Sequence, residues 1–251
     1  MGQVVVLGSS NAVPDDVQDN THLLVKSDTR IILVDAANNP VPRLLKVGVT
    51  YDDLTDLILT HFHPDHVSGV PQLLMGFWLL GRRKALDIYG LTHTIQRVKS
   101  MLDLYELLTW PDFFEVRFHE IAEAEAQLVL EDESLRVISS PVKHLVPTMG
   151  LRVDFLKEQR SFAYSCDTEP CEAVTRLAKD ADILMHEATG EGVGHTSAAQ
   201  AGAIAQQAGA KALFLIHYSI ANQVVAEMMS EAHSTYQGAV HLARDLMTLE
   251  F

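Results

Sequence analysis

Four metal-ligand side chains fall within six residues of the segment Thr60-His61-Phe62-His63-Pro64-Asp65-His66. The segment follows the apolar run 57–60, which has the length and branched-residue content of a strand. Side chains two apart on an extended chain share a face, so His61 and His63 present their imidazoles on the same side. Pro64 stiffens the turn, and Asp65-His66 stands where a helix over 67–80 is expected to begin. Desolvating several imidazoles together without a partner is costly. The cluster therefore reads as a preorganised metal site at the carboxyl end of a strand, and the fold must deliver that strand end to an open rim.

Further apolar runs of strand length occur at 4–7, 22–25, 31–34, 128–130, 135–138, 151–155, 162–164, 183–185 and 213–216, bounded by Gly, Pro, Asn, Asp or Ser. Helical patterns are expected at 42–47, 67–80, 91–108, 172–178, 197–208 and 221–234, with Ser197 of N-cap type. The last third alternates helix and strand, which predicts an α/β chain with helices packed outside mixed sheets. No linker, charge block or repeat interrupts it, so residues 1–251 are expected to form a single domain.

Acidic residues number 33 against 19 basic, a formal charge of −14. That balance argues against an extended nucleic-acid groove, which is built on phosphate neutralisation, and leaves room for a local basic patch. Cys166 and Cys171 are the two cysteines and match no disulfide framework or common zinc spacing. The amino terminus, Met1-Gly2-Gln3-Val4, lacks a basic signal-peptide region, and no run of 18 apolar residues exists. A cytoplasmic protein without a membrane span is the expectation.

The His-x-His-x-Asp-His pattern after a strand resembles the signature of the metallo-β-lactamase superfamily, and candidates for its later elements follow in order. His144 ends Ser140-Pro141-Val142-Lys143-His144, Asp167 lies in Ser165-Cys166-Asp167-Thr168, and His217 lies in Ile216-His217-Tyr218-Ser219, each after a strand-like run. Leu184-Met185-His186-Glu187-Ala188-Thr189 and Gly194-His195-Thr196-Ser197-Ala198 resemble the HEAT and His-Ser-Thr elements of the ribonuclease Z branch, and 240–247 looks like its closing strand.

The resemblance implies a four-layer αββα sandwich holding two zinc ions, with manganese or iron also compatible with the donors. His61, His63 and His144 would hold one ion and Asp65, His66 and His217 the other, with Asp167 between them. It further implies hydrolysis by a water activated between the ions. His195, oriented by Glu187, would give a proton to the leaving alcohol, and Asp65 joins these two as a catalytic residue. His186 reads as structural.

The chain departs from that branch in two places. Only 22 residues separate His144 from Asp167, too few for the long arm with which the tRNA-processing enzymes grip tRNA, and Cys166 replaces the usual Gly. Missing arm and negative charge together favour a small-molecule phosphodiester as substrate. The alternatives are a ribonuclease Z-like tRNA 3′ endonuclease, a lactonase or aryl-sulfatase-like esterase, and a non-catalytic scaffold member, although scaffold members lose ligands and none is missing here.

Other features carry less. The segment Gly8-Ser9-Ser10-Asn11-Ala12-Val13-Pro14 reads as a turn. Arg82-Arg83-Lys84 reads as a cationic helix end favouring the macrodipole rather than a phosphate clamp. Phe77 to Leu80 and Trp110 to Phe114 read mainly as core, with a pocket wall or homodimer interface as their other use.

Overall fold

A computed structural model of the chain describes residues 1–218 and 225–251. The first sheet has the order β14-β1-β2-β3-β4-β5-β6. Its strands are β1 (Gln3–Gly8), β2 (His22–Lys26), β3 (Ile31–Val34), β4 (Asp56–Leu59), β5 (Leu86–Leu91), β6 (Val116–Ile121) and β14 (Thr248–Glu250). It is antiparallel from β14 to β3 and parallel from β3 to β6. The second sheet contains β7 (Gln127–Glu131), β8 (Leu135–Val142), β9 (Thr148–Phe155), β10 (Arg160–Tyr164), β11 (Ile183–Glu187), β12 (Ala212–Ile216) and β13 (Ala239–Leu242), in reverse sequence order. It is antiparallel up to β10 and parallel beyond it.

Strand residues explain the layering. Successive side chains point to opposite faces, so a strand apolar at every position can bury both. In β1, Val4 and Val6 enter the core between the sheets, where they join Leu135, Val137, Val153 and Phe162. Val5 and Leu7 enter a second core beneath α1 (Val41–Lys46), α3 (Val70–Leu79) and α4 (Thr92–Leu104). A third core covers the outer face of the second sheet under α5 (Glu172–Leu177), α6 (Ala198–Ala208) and α7 (Val225–Thr235). Helices, two sheets and helices again give the αββα sandwich that the resemblance implied. Among the described residues no helix is long and apolar enough to cross a membrane.

Several expectations need correction. The helix expected over 67–80 is two elements, a single turn α2 (Pro64–Val67) and then α3, joined through Gly69. A Cβ on Gly69 would lie 2.2 Å from the Asn38 carbonyl oxygen and 2.6 Å from that of Ala36, so the joint packs backbone against backbone. The helix expected over 91–108 stops at Leu104 and is followed by a 3₁₀ turn, Leu107–Thr109. Strands β5, β6 and β14 had no counterpart in the sequence reading. The expected closing strand 240–247 is strand only to Leu242; the chain then crosses to the first sheet, where Met247 O accepts the Val6 amide at 2.9 Å. Ser219 and the start of the helix expected from 221 lie outside the described residues. Ser197 caps α6 in a reciprocal pair with Gln200, as its residue type predicted.

Arg82 is neither a macrodipole cation nor a phosphate clamp. It is 1% exposed, and its guanidinium donates to the carbonyls of Tyr51, Leu54, Lys84 and Ala85 between the rings of Phe77 and Phe114.

Candidate metal centre

The two sheets meet at one end of the sandwich. There the Met149 amide donates to Thr60 O at 3.2 Å and the His217 amide to Ser9 O at 3.0 Å. Both contacts tie a strand end of one sheet to the other, so side chains from distant parts of the chain can converge. His61 and His63 extend from β4, and Asp65 and His66 stand on the single turn α2 that Pro64 opens. His144 follows β8, Asp167 follows β10 and His217 follows β12. Cys166 and His217 take positive φ, 54° each, a conformation uncommon for non-glycine residues that turns these strand ends at the rim.

The seven side chains form two adjoining groups. His61, His63 and His144 make the first; Asp65, His66, Asp167 and His217 make the second. In the first, His63 Nδ1 lies 3.1 Å from His61 Nε2 and 3.2 Å from His144 Nε2. In the second, Asp65 Oδ2 is 3.5 Å from His66 Nε2 and 3.6 Å from His217 Nε2. Asp167 Oδ2 is 3.3 Å from His217 Nε2, 3.6 Å from His66 Nε2 and 3.9 Å from His144 Nε2, and so lies between the two groups.

The opposite nitrogen of each imidazole explains which edge turns inward. Gly194 O, which can only accept, lies 2.7 Å from His144 Nδ1 and so fixes that proton. Asp35 Oδ2 is 2.8 Å from His66 Nδ1. Thr60 Oγ1 donates to Asp35 and therefore accepts from His61 Nδ1 at 3.1 Å. Thr189 Oγ1 donates to His217 O and accepts from His217 Nδ1, both at 2.8 Å. Four rings are thus held with Nε2 facing the cluster, while His63 presents Nδ1.

Asp35, Thr60 and Thr189 are site residues that sequence reasoning missed. Asp35 directly follows β3 at φ 61°, and a lone acid at a strand end was the available signal. Cys166 packs its sulfur 3.6 Å from His61 Nδ1, and burial pushes its thiol well up.

Two observations test whether a cation fits. His66 Nε2, His217 Nε2 and Asp167 Oδ1 are buried without a hydrogen-bond partner, an uncommon state for polar atoms that a shared ion would explain. The protonation states also suit one. Burial lowers the pKa of His61, His63 and His144, keeping their lone pairs free. Burial raises the Asp65 and Asp167 carboxyls, but neighbouring His217 and His66 outweigh it and hold both well below the ordinary value. His66 is pushed well up by Asp167 and Asp35 against its own burial, so loading the site would release its proton. The neutral imidazoles of His61, His63 and His144, with His66 giving up its proton on loading, form with the ionised carboxylates a donor set for a divalent metal.

Beside the cluster, His195 donates from Nδ1 to Glu187 Oε1 at 3.0 Å. Glu187 ends β11, is fully buried, and also accepts the amides of Thr168 and Thr189. That carboxylate raises the His195 pKa against burial. The His195 ring lies 5.2 Å from that of His144 and 5.9 Å from that of His217, with its Nε2 edge opposite the Glu187 contact. His186 is buried and turned to its neighbour's carbonyl, outside both groups.

A family model described as Beta-lactamase superfamily domain matches residues 30–218. Ribonuclease Z of Methanothermobacter thermautotrophicus is 26% identical, over 100% of this chain and 97% of the relative. Among solved structures, the short form of human tRNase Z matches with TM-score 0.81 and 23% identity, over 99% of this chain and 98% of that one. A diphosphatase from the PhnP family matches with TM-score 0.78 and 21% identity, over 100% and 98% respectively.

Proposed function

The chain belongs to the β-lactamase superfamily and is one of its metal-dependent hydrolases, and from its centre we infer that it cleaves phosphodiester bonds. The observation that carries this reading is the His195–Glu187 pair beside the ligand cluster. Expulsion of a poor alkoxide leaving group needs a proton donor separate from the nucleophile's activator, and His195 Nε2 is the free edge of such a donor. Glu187 fixes its tautomer, and the two amides that Glu187 accepts hold the carboxylate in place.

His61, His63 and His144 would hold one ion; Asp65, His66 and His217 would hold a second, with Asp167 between them. The imidazole-rich set fits zinc, and manganese or iron as well. Two divalent ions bound there would supply Lewis acidity toward a phosphoryl oxygen and would lower the pKa of water toward neutrality. Asp65, held ionised by its imidazole neighbours, would also accept a hydrogen bond from the water and orient it.

A small phosphodiester is favoured over RNA. The segment from His144 to Asp167 is occupied by β9, a four-residue turn and β10, which leaves no projecting arm. The loop before His195 carries Glu191, and Lys143, next to the ligand His144, is already paired with Glu169. The relative named ribonuclease Z supports the second reading, an RNA substrate. Its alignment runs over 305 positions against 251 residues here, so it carries segments that this chain lacks.

Initial rates on bis-p-nitrophenyl phosphate, an aryl sulfate, a lactone and a 3′-extended tRNA, with metal content measured alongside, test the reading. Metal-dependent turnover of the phosphodiester with little tRNA cleavage is expected. Hydrolysis of the lactone or sulfate alone would overturn phosphodiester specificity, and rapid tRNA processing would select the second reading.

A further inference from the structure

Glu169 lies two residues beyond Asp167 and has no part in the chemistry above. Its two carboxylate oxygens have different partners. Oε1 accepts the Gly194 amide at 3.1 Å, and Oε2 pairs with Lys143 Nζ. Gly194 in turn offers its carbonyl oxygen to His144 Nδ1 at 2.7 Å. We propose that Glu169 is a positioning residue for the ligand His144, acting through the backbone of Gly194. The inference rests on the metal-centre reading above.

Backbone geometry shows why an anchor is needed there. Gly194 adopts φ 83°, and a Cβ on it would lie 2.9 Å from His144 Nδ1 and 3.1 Å from Leu145 Cγ. The main chain therefore approaches the imidazole more closely than any other residue would permit. The carbonyl that fixes the His144 tautomer belongs to a loop with Gly190, Gly192 and Gly194 in five positions. Burial does little to hold its middle, since Val193 is 76% exposed. Gly190 N to Thr196 O and His195 N to Gly192 O shape the loop, and the bonds of His195 to Glu187 and of Thr196 to Thr168 O fix its carboxyl end, but none of them ties down the Gly194 amide. The Glu169 carboxylate supplies that tie from the strand-end segment that also carries Asp167.

The anchor is itself fixed. The Glu169 amide donates to Lys143 O at 2.7 Å, and the Lys143 amide donates to Thr168 Oγ1 at 3.1 Å. Residues 143–144, 168–169 and 194 thus close a ring of contacts in which His144 is both a covalent neighbour of Lys143 and the recipient of Gly194's carbonyl. A ring of this kind limits rotation of the imidazole and keeps Nε2 directed at His63 and Asp167. The anchored residue, Gly194, precedes His195 by one position, so a ligand and the proton donor are aligned together. Groups that orient a ligand from behind typically change metal affinity by about 10–100-fold when removed.

The test compares wild type, Glu169→Ala, Glu169→Gln and Lys143→Ala. Zinc affinity is measured by competition with a chromogenic chelator, and the cobalt(II)-loaded proteins are compared by visible absorption. Glu169→Ala is expected to weaken zinc binding by about 10–100-fold and to shift the cobalt bands. Glu169→Gln keeps an oxygen for the Gly194 amide and should recover most of the loss, and Lys143→Ala should lose less than Glu169→Ala. Unfolding midpoints of the metal-free proteins separate this from general destabilisation. Equal zinc affinity in wild type and Glu169→Ala, or a loss that Gln does not restore, overturns the role given to Glu169. A wild-type chain that binds no zinc overturns the metal-centre reading and this inference with it.

Discussion

The carboxylate of Asp35 grips the imidazole of His66 from behind, Oδ2 to Nδ1 at 2.8 Å, with both side chains fully buried. The same carboxylate accepts the Thr60 amide and hydroxyl at 2.8 to 3.0 Å. One residue thereby orients a ligand of the second group directly and, through Thr60, a ligand of the first.

Replacing Asp35 with Ala should cost both stability and metal. It strands a buried amide, a hydroxyl and an imidazole, each worth about 1–3 kcal/mol when unsatisfied, and zinc affinity should fall about 10–100-fold. Asn, which tolerates the positive φ at this position, should lose less on both measures. Urea unfolding and zinc content of purified variants check this; full zinc occupancy in Asp35→Ala would count against it.

His195→Ala should lower phosphodiester turnover by about 10²–10⁴-fold while metal content stays at the wild-type level. The loss should grow as the leaving group becomes more basic, because an alkyl alcohol needs the proton more than a nitrophenol does. Glu187→Gln should follow the same trend with a smaller loss. A loss independent of leaving-group basicity, measured across a series of aryl and alkyl diesters, would remove His195 from proton transfer.

Arg82→Met should destabilise the fold by about 2–4 kcal/mol without changing KM for a phosphodiester. The guanidinium satisfies four carbonyls under the first sheet, which Met cannot replace. Denaturant melts paired with steady-state kinetics decide the matter. A raised KM at unchanged stability would restore the phosphate-clamp reading.

Asp182 should give a pH-dependent share of stability. Burial pushes its carboxyl up, but Lys211 and Arg160, 2.8 and 2.7 Å away, outweigh it and bring it to about 2, below the usual 3.8. The ionised form therefore favours the fold above pH 4, and the contribution disappears as pH falls through about 2. Both cations are more than half exposed, so solvent screening holds the effect to on the order of 1 kcal/mol. Asp182→Asn should be less stable than wild type at pH 5, with the gap narrowing as pH falls toward 2; a gap constant across that range would refute the assignment.

Legibility in the sequence followed the range of the interactions. The Ser197 cap and doubly buried strands such as β1, β4 and β12 are written in neighbouring residues and were readable. The strand Leu86–Leu91 was lost against the helix beside it, because Leu91 is both strand end and helix N-cap. Val116–Ile121 is an edge strand, paired on one side only, whose polar positions carry no apolar run. The break at Gly69 has a local mark in Gly69 and Pro71, which stands in the first turn of α3, but the close backbone packing that fixes it depends on the Asn38 and Ala36 carbonyls some thirty residues away.

By itself the sequence determined which side chains could bind a metal, since six residues around a strand end fix the types and spacing of four donors. The tertiary structure decided which nitrogen of each ring faces inward. That choice depends on acceptors as far away in sequence as Asp35 from His66 and Gly194 from His144. Asp35 reaches Thr60 and His66 because β3 and β4 pair in parallel, Val34 opposite Ile58, which sets their carboxyl ends side by side. A hydrogen bond acts over about 3 Å of space, whatever length of chain separates its partners.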